Sequence, residues 1–301
     1  MNKVLVLVRR EYWENRSLWI TPLVIAGVLL VIAAFGGVHV GDHGNWSFGS
    51  RDDNGEIGRL LAAGLSQRQL IYGMTMAVFT SIQLFVLGIV VFFYLLDSLL
   101  AERKDRSILF WKSLPISDSQ VVGSKLITAL VATPVIVLLV SAVTQLVFGL
   151  VWWLRFHGTP LGMALMPFDA SVWLQVQVAM WALAFATILW YLPIAGYLLL
   201  VSVWSRKNAF LWAVLPPIAI LLIEKLIIGS SHFAEFLGRR FGGVFDLLKL
   251  GEHGGDAPSS LGGFLSAVGH VFTSYETWLG VVAAAVFAAA VIRFRRYRDE
   301  S

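Results

Sequence analysis

Apolar residues are gathered into six long stretches along this chain, and shorter polar segments separate them. A helix needs about 20 mostly apolar residues to cross the roughly 30 Å hydrocarbon core of a membrane. Five of the stretches reach that length, and the sixth comes close to it. The predicted transmembrane helices cover residues 18–38, 73–96, 126–154, 170–204, 209–229 and 277–292. The pattern therefore predicts an all-α integral membrane protein with one transmembrane domain over residues 1–301.

Two of these stretches depart from the usual span length. A helix over residues 170–204 would rise about 50 Å, so we expect it to tilt or to project from the membrane, with a bend at Pro193. The sixth stretch is short. Thr273 with Glu276 three residues later has the form of a capping box, which predicts that the last helix begins there.

The chain before the first span mixes aromatic and basic residues, unlike the apolar stretches. This composition is typical of an amphipathic helix that lies in the plane of the membrane surface. We therefore predict an interfacial helix over residues 1–17. Its predicted anchoring residues are Arg9, Arg10, Glu11, Trp13 and Arg16.

Two segments on the predicted outer side are long. Residues 39–72 begin with turn-forming residues and end in a predicted short helix from Glu56 to Tyr72. Residues 230–276 alternate apolar stretches with glycine pairs, as in 241–245 and 261–264. These stretches could lie on the outer surface or enter the membrane as re-entrant elements before the sixth span.

The charge pattern sets the predicted orientation. Only 14% of the residues are charged, against about 25% in a typical soluble domain. With both termini in the cytoplasm, 15 of the 23 Lys and Arg residues fall in the shorter inner segments, as the positive-inside rule requires. The net charge of +4 is therefore explained by topology, and we expect no nucleic acid partner. The absence of cysteine excludes disulfides, thiolate metal sites and cysteine nucleophiles.

The predicted cytoplasmic segment between the second and third spans, residues 98–123, is the most informative part of the chain. Charges at 102–106 precede an apolar block at 108–111, and Pro115 would end the helix that they form. Ser117 with Gln120 three residues later predicts a capping box that starts the next helix inside the cytoplasm. The segment is thus predicted to hold a short amphipathic helix between two spans.

This segment resembles the coupling-helix region of ATP-binding-cassette exporter permeases of the type-2 class. In that family an acidic-basic pair precedes a small residue, an apolar stretch, a Leu-Pro or Thr-Pro pair and a Lys at the head of the next span, here Lys125. The chain has Ser107-Ile108 where the family often has Gly-Thr. The residues that the resemblance assigns to ATPase coupling are Glu102, Arg103, Lys104, Asp105, Arg106, Ser107, Leu109, Leu114 and Pro115.

The resemblance also covers the aromatic-basic stretch 9–16, the six-span layout and the outer segment before the last span. It implies a permease dimer, most simply a homodimer, that works with separate cytoplasmic ATPase subunits in a bacterial cytoplasmic membrane. This chain has no G-x-x-x-x-G-K-[ST] loop, the loop that cradles nucleotide phosphates. ATP and Mg are therefore expected on the partner, with no cofactor on this chain. The expected cargo is apolar or amphipathic: a drug, a peptide or a lipid.

A few polar residues within or beside the spans are further candidates. Gln83 and Gln145 stand in mid-span, where a polar group either links helices or lines a path. Glu224 and Lys225 near the outer end of the fifth span either snorkel to the interface or serve function. His39 and His43 have helical spacing, but the glycines around them argue against a helix and a metal site there.

Two other functions are compatible with a multi-pass membrane protein. One is a membrane-embedded enzyme that modifies lipid, although Asp97, Glu102 and Asp105 lack the accompanying histidines that such enzymes use. The other is a non-transporting sensor or assembly factor. Dependence on a partner ATPase separates the exporter permease from both.

Overall fold

A computed structural model of the chain describes residues 3–35, 38–40, 46–48, 65–105, 116–158, 169–248 and 261–298. Within these ranges the chain is almost entirely helical. The helices are α1 Lys3–Glu14, α2 Ser17–Phe35, α3 Leu65–Lys104, α4 Asp118–Ile127, α5 Thr133–Phe156, α6 Ala170–Trp204, α7 Ala209–Ile223, α8 His232–Leu248, α9 Leu261–Thr273 and α10 Tyr275–Arg298. Two π-helical turns, Thr128–Ala132 and Glu224–Ile228, follow α4 and α7 without a break.

Five helical segments of the described chain are long and apolar enough to cross a membrane, or six if α1 and α2 are taken as one bent span. The five segments are Arg68–Lys104, Asp118–Arg155, Ala170–Trp204, Ala209–Ile227 and Tyr275–Tyr297. Their length and composition indicate a multi-pass membrane protein.

The first predicted span is too long at its end. Helix α2 stops at Phe35, and two glycines, which disfavour helix, follow it in the sequence. Val38–Val40 forms a short strand, β1, that pairs antiparallel with β2, Trp46–Phe48. The all-α fold class is confirmed for nearly all of the described residues, and this small hairpin is a local exception to it. His39 lies in β1, as expected of a residue that is not helical, and His43 lies outside the described residues.

Helix α3 is much longer than the predicted span 73–96. Its 40 residues rise about 60 Å, and it takes in both the end of the predicted outer helix 56–72 and the start of the cytoplasmic segment 98–123. No proline interrupts residues 65–104, so nothing ends the helix where the apolar stretch ends. Residues 56–64 lie outside the described part of the chain.

The capping box predicted at the start of the third span is confirmed. The Ser117 hydroxyl accepts a hydrogen bond from the Gln120 backbone N–H, and the Gln120 side chain accepts one from the Ser117 N–H. The helix then passes through the π-helical turn just before Pro134. The Thr133 hydroxyl and the Thr133 backbone N–H both donate to the Thr128 carbonyl, the hydroxyl at 2.6 Å.

Helix α6 has the bounds predicted for the fourth stretch, and Pro193 lies inside it. Helix α7 and its π-helical turn end at Gly229, which has a φ of 73°. This left-handed conformation is the usual way for a glycine to stop a helix, and it accounts for the end of the predicted fifth span.

The capping box predicted for the sixth span is wrong. Thr273 is the last residue of α9, and its hydroxyl donates to the His270 carbonyl. The only residue between α9 and α10 is Ser274, whose hydroxyl contacts that of Thr277 at 2.8 Å. The glycine pairs of the outer segment lie within α8 and α9. The apolar part of α9, Phe264–Thr273, is too short to span a membrane.

The contacts of the chain divide it into two units, which we describe separately. Residues 17–87 and 135–181 form the first unit. Its core joins α2, α3 and α5 through large side chains, with the rings of Phe79 and Phe148 edge to face at 4.7 Å. The buried core residues are Leu29, Tyr72, Met76, Phe79, Phe148 and Trp152.

The second unit comprises residues 1–16, 88–134 and 182–301. One part of its core lies around Trp190 of α6, which packs against buried valines of α9. The Trp190 indole N–H donates to the Arg240 carbonyl at 2.8 Å, and the Arg240 guanidinium lies 4.7 Å above the indole ring. That guanidinium occupies the space where Gly280 has no side chain. The same unit holds a buried network of charged residues.

A buried ion network as candidate functional site

The face of α1 that turns inward carries a carboxylate. Leu7 and Glu11 are buried, whereas Leu5 and Trp13 are exposed. Residues four apart lie on one face of a helix, so Leu7 and Glu11 together form the buried face of α1. Glu11 is only 4% exposed. Since a buried carboxylate requires a cation or several hydrogen bonds, the partners of Glu11 define the site.

Lys125 supplies the cation. Its Nζ lies 2.9 Å from Glu11 Oε1 and 2.9 Å from Glu102 Oε1. Lys125 is in the last turn of α4, and Glu102 is in the last turn of α3. One ammonium group therefore joins α1, α3 and α4. The Tyr94 hydroxyl donates to the second oxygen of Glu11 at 2.9 Å.

Arg295 near the end of α10 completes the network. Its Nη1 lies 2.9 Å from Glu102 Oε2, and its Nε lies 2.9 Å from Asp118 Oδ1. The Arg295 and Lys125 side chains are each 2% exposed. The four deeply buried members, Glu11, Glu102, Lys125 and Arg295, carry two negative and two positive charges. Asp118 at the start of α4 is 30% exposed, which leaves it in contact with solvent.

Three carboxylates and cations of the network, Glu102, Asp118 and Arg295, connect two parts of the predicted coupling segment 98–123. Glu102 and Asp118 lie on either side of residues 106–115, and a single guanidinium binds both carboxylates. Charge-assisted hydrogen bonds of this kind are stronger than neutral ones, and breaking a buried ion pair is costly. The end of α3 and the start of α4 are thus fixed to each other and to α10.

Arg103 links the same end of α3 to α6. Its Nη2 donates to the backbone carbonyls of Ser202 and Ser205 at 2.6 and 2.7 Å, where α6 ends. A cation at the C-terminal end of a helix satisfies free carbonyls and complements the helix dipole. The Ser202 hydroxyl also accepts hydrogen bonds from the Leu99 and Leu100 backbone N–H groups.

The predicted coupling residues differ in their burial and contacts. Glu102 and Arg103 are held in contacts, whereas Lys104 and Asp105 are exposed. The remaining predicted coupling residues lie outside the described part of the chain: Arg106, Ser107, Leu109, Leu114 and Pro115. Glu102 is buried within the charged run, because two cations enclose its carboxylate.

The predicted anchoring residues of α1 lie mostly on its outer face. Arg9, Trp13 and Arg16 are exposed, and Arg10 forms an i,i+4 ion pair with Glu14 at 2.8 Å. Glu11 is the exception, because it belongs to the buried network and not to the outer face.

Gln83 and Gln145 both lie in the first unit and are both 1% exposed. Gln145 donates to the Met76 carbonyl and the Thr80 hydroxyl at 2.8 Å, and it accepts from Gln177 at 2.6 Å. It is an interhelical link between α5, α3 and α6. Neither amide atom of Gln83 has a hydrogen-bond partner among the described residues.

Glu224 has a structural contact. Its carboxylate accepts hydrogen bonds from the Ser230 hydroxyl and the Phe233 backbone N–H, at 2.8 and 2.9 Å. It thereby caps the start of α8 from the end of α7, where a negative charge is favourable. Lys225 is exposed. These contacts support the structural interpretation of Glu224 over a functional one.

A polar contact that the sequence did not suggest caps the start of α6 in the first unit. Asp169 Oδ1 accepts from Ser171 and from the Val172 N–H, and Oδ2 accepts from the Gln69 amide at 2.7 Å. The Ser171 hydroxyl, followed by the Val172 N–H and the Gln69 amide, lowers the pKa of this carboxyl below its ordinary value.

Several members of the ion network were not among the predicted site residues: Tyr94, Asp118, Lys125, Ser202 and Arg295. A signal existed for Lys125 and Arg295, since each is a charged residue beside a long apolar stretch. Arg295 was interpreted as a topology signal only, and Lys125 also as the lysine of the family motif, but neither was predicted to bind a buried carboxylate. Their pairing joins positions more than 100 residues apart, and no spacing rule predicts it.

No protein family model, curated protein or solved structure matches this chain. The chemistry open to the site therefore rests on its geometry. Paired carboxylates and cations at 2.9 Å hold helices in a fixed arrangement, whereas a carboxylate held by two cations is a poor proton acceptor. In the described part of the chain no group of three His, Asp or Glu residues could hold a metal ion.

Proposed function

We propose that the chain is the membrane-spanning permease subunit of an ATP-binding-cassette exporter, driven by a separate cytoplasmic ATPase. The observation that carries the proposal is the double contact of Arg295 with Glu102 and Asp118. An element that receives force from a partner must be attached rigidly at both ends, because otherwise its movement would not reach the spans. The segment between these two carboxylates is attached in this way.

The contacts of the network supply routes by which such a force would spread. From Glu102 it passes to α10 through Arg295, and to α1 and α4 through Lys125. From Arg103 it passes to the end of α6. A push on residues 106–115 would therefore move α3 and these four helices together. This is the behaviour that the coupling element of an ATP-driven transporter requires.

The proposed orientation places both termini in the cytoplasm. Supporting it, α1, the end of α3, the start of α4 and the end of α10 meet in one network. All of them belong to segments that the positive-inside rule assigns to one side. A cytoplasmic network would lie where an ATPase docks, with ATP and Mg bound by that partner. We further propose a homodimer of the chain in a bacterial cytoplasmic membrane, with an apolar or amphipathic cargo.

A lipid-modifying enzyme is the weaker alternative. Its acid-base chemistry needs a carboxylate or histidine that can exchange a proton. Ion pairs hold Glu102 and Asp118, and this favours a mechanical role for them. A non-transporting sensor could use the same rigid network, so it is separated from the exporter by experiment.

The test is co-expression of the tagged chain with each ATP-binding-cassette ATPase of its source organism, followed by purification and measurement of ATP turnover. Glu102→Gln keeps the shape of the side chain but removes its charge. We expect this variant to insert and to lose most of the assembly or the turnover. Asp97→Asn is the matched control, because Asp97 is an exposed carboxylate on the same helix.

The proposal is contradicted if no ATPase co-purifies with the wild-type chain. It is also contradicted if Glu102→Gln and Asp97→Asn assemble and turn over ATP equally. Either result would favour the sensor or assembly factor.

A further inference from the structure

Gln83 is a fully buried amide with no hydrogen-bond partner among the described residues, on either its oxygen or its nitrogen. Buried amide side chains without a hydrogen-bond partner are rare in proteins. A buried group that lacks them points to a molecule that the protein atoms do not include, such as water or a ligand.

Gln83 belongs to a wider group of polar residues. It lies one turn from Thr80 on α3, so both side chains share a face. The Thr80 hydroxyl contacts that of Ser141 at 2.6 Å and accepts from Gln145, which in turn accepts from Gln177. We call these five residues the Gln83 cluster. It brings together α3, α5 and α6 within the first unit.

The surroundings of the cluster are apolar. Along the same face of α3, Met76 and Leu87 are buried on either side of Thr80 and Gln83. On α5, Ser141 lies opposite Thr80 and Gln145 lies opposite Met76, so the antiparallel register brings Leu138 opposite Gln83. Leu138 is buried and offers no polar atom. Dry packing would favour an apolar residue at position 83.

The chemistry of the occupant follows from the residues. All five members of the cluster are uncharged, so nothing there would balance an ion in a membrane interior. Gln83 presents one acceptor and one donor at the same place. A neutral group that both donates and accepts fits this pair, and hydroxyl, amide and water are such groups.

We propose that the Gln83 cluster is a hydrated binding site for a neutral hydrogen-bonding group. Its occupant is water or the hydroxyl or amide group of an amphipathic cargo. The cargo half of the proposal rests on the proposed transport function, whereas hydration of the site does not. In the exporter, such a site would receive the polar end of a cargo whose apolar part lies among the surrounding side chains.

The test uses the absence of cysteine from the chain, which makes single-cysteine variants unambiguous. Gln83→Cys and Leu87→Cys are placed in phosphatidylethanolamine–phosphatidylglycerol vesicles and exposed to a charged, water-soluble thiosulfonate reagent. Both positions are buried on the same face of α3. We expect the cysteine at position 83 to react at least about tenfold faster, because water already occupies the proposed site, whereas position 87 meets water only through local opening.

A second pair guards against a folding defect in the first. Ser141→Cys is a small change within the cluster, and Val137→Cys is its control one turn away, where the valine is fully buried. If both cluster cysteines react no faster than their controls, the site is dry and the proposal is wrong. That result would leave the permease assignment intact, because the assignment depends on the ATPase.

Protection separates the two occupants. Octyl glucoside is added below its micellar concentration before the thiosulfonate reagent. If it slows the labelling of the cysteine at position 83, the occupant of the site is a hydroxyl-bearing amphipath. Unchanged labelling with both octyl glucoside and octyltrimethylammonium would assign it to water. Protection by the ammonium compound alone would overturn the inference of a neutral ligand.

Discussion

The Lys125 ammonium lies 2.9 Å from the Glu11 carboxylate, and 114 residues separate the two in the sequence. Lys125 also binds Glu102 at the same distance. Its removal would leave two buried carboxylates without this cation and would release α1. We therefore expect Lys125→Met to lower the free energy of unfolding by about 3–5 kcal/mol. Denaturant unfolding in detergent, followed by tryptophan fluorescence, measures the change.

The control is Lys104→Met, which removes the same charge from an exposed position. We expect it to change stability by no more than about 0.5 kcal/mol. Limited proteolysis adds a local readout, since α1 should become susceptible in the Lys125 variant only. Equal stability of the two variants would mean that the buried contacts of Lys125 add nothing.

The Glu102–Arg295 pair should show strong energetic coupling. Both side chains are buried and their atoms are 2.9 Å apart. A double-mutant cycle with Glu102→Gln and Arg295→Gln should give a coupling energy of about 1–3 kcal/mol. The cycle is measured by denaturant unfolding of the wild type, the two single variants and the double variant.

The exposed Arg10–Glu14 pair on α1 provides the comparison, with side chains 31% and 56% exposed. Its cycle should give only about 0.3–0.5 kcal/mol. A coupling energy for Glu102–Arg295 no larger than this would contradict the idea that the network clamps the ends of the coupling segment.

The sequence was sufficient to predict most of the helices that could span a membrane. Such a helix is recognised by length and apolarity alone, and α6 matches the predicted 170–204 for this reason. The ends of α3 could not be found in the same way. Residues 65–72 and 98–104 are polar enough to suggest separate segments, yet nothing in them stops a helix.

A capping motif predicted the start of a helix at Ser117 but not at Thr273, where another helix already includes the capping residue. Ser117 has no preceding helix in the described chain that could claim it, and its capping box forms. Thr273 had the same spacing to an acidic residue, but α9 extends through it and the start of α10 moves to Tyr275. A capping motif therefore predicts a start only if the preceding residues are not themselves helical.

The candidate site was predicted in part. Glu102 and Arg103 were predicted from a local motif, and local order along α3 is enough to place them together. Their partners Arg295 and Ser202 lie on helices far away in the sequence. Such contacts depend on tertiary packing, which hydropathy does not encode. The Asp169–Gln69 contact is of the same kind.

The cap at the start of α6 should make stability depend on acid pH. Hydrogen bonds from Ser171, Val172 and Gln69 hold the pKa of Asp169 below its ordinary value. The stabilisation is therefore complete above about pH 4, the usual pKa of an unfolded aspartate, and it is lost as the pH falls through the lower folded value. Asp169→Asn should lower the Tm most at neutral pH, with the difference shrinking below about pH 4.

The measurement is thermal unfolding of both proteins in detergent across this pH range. Asp97→Asn serves as the control, because it changes an exposed carboxylate on α3. A wild-type advantage over Asp169→Asn that persists unchanged at the acid end would show that the charge of Asp169 is not what stabilises the cap.

Gly280 should resist even the smallest substitution. A Cβ at this position would collide with the guanidinium of Arg240, which is held over the Trp190 ring and donates to the Glu276 carbonyl. Because Arg240 is buried, its side chain cannot move aside freely. We expect Gly280→Ala to lower the free energy of unfolding by about 1–3 kcal/mol.

Gly238→Ala is the matched control: nothing lies within 4 Å of a Cβ there, so the gain in helix propensity should stabilise α8 by about 0.5–1 kcal/mol. Opposite signs in denaturant unfolding are the expected result, and a stabilising Gly280→Ala would mean that Arg240 is not fixed against α10.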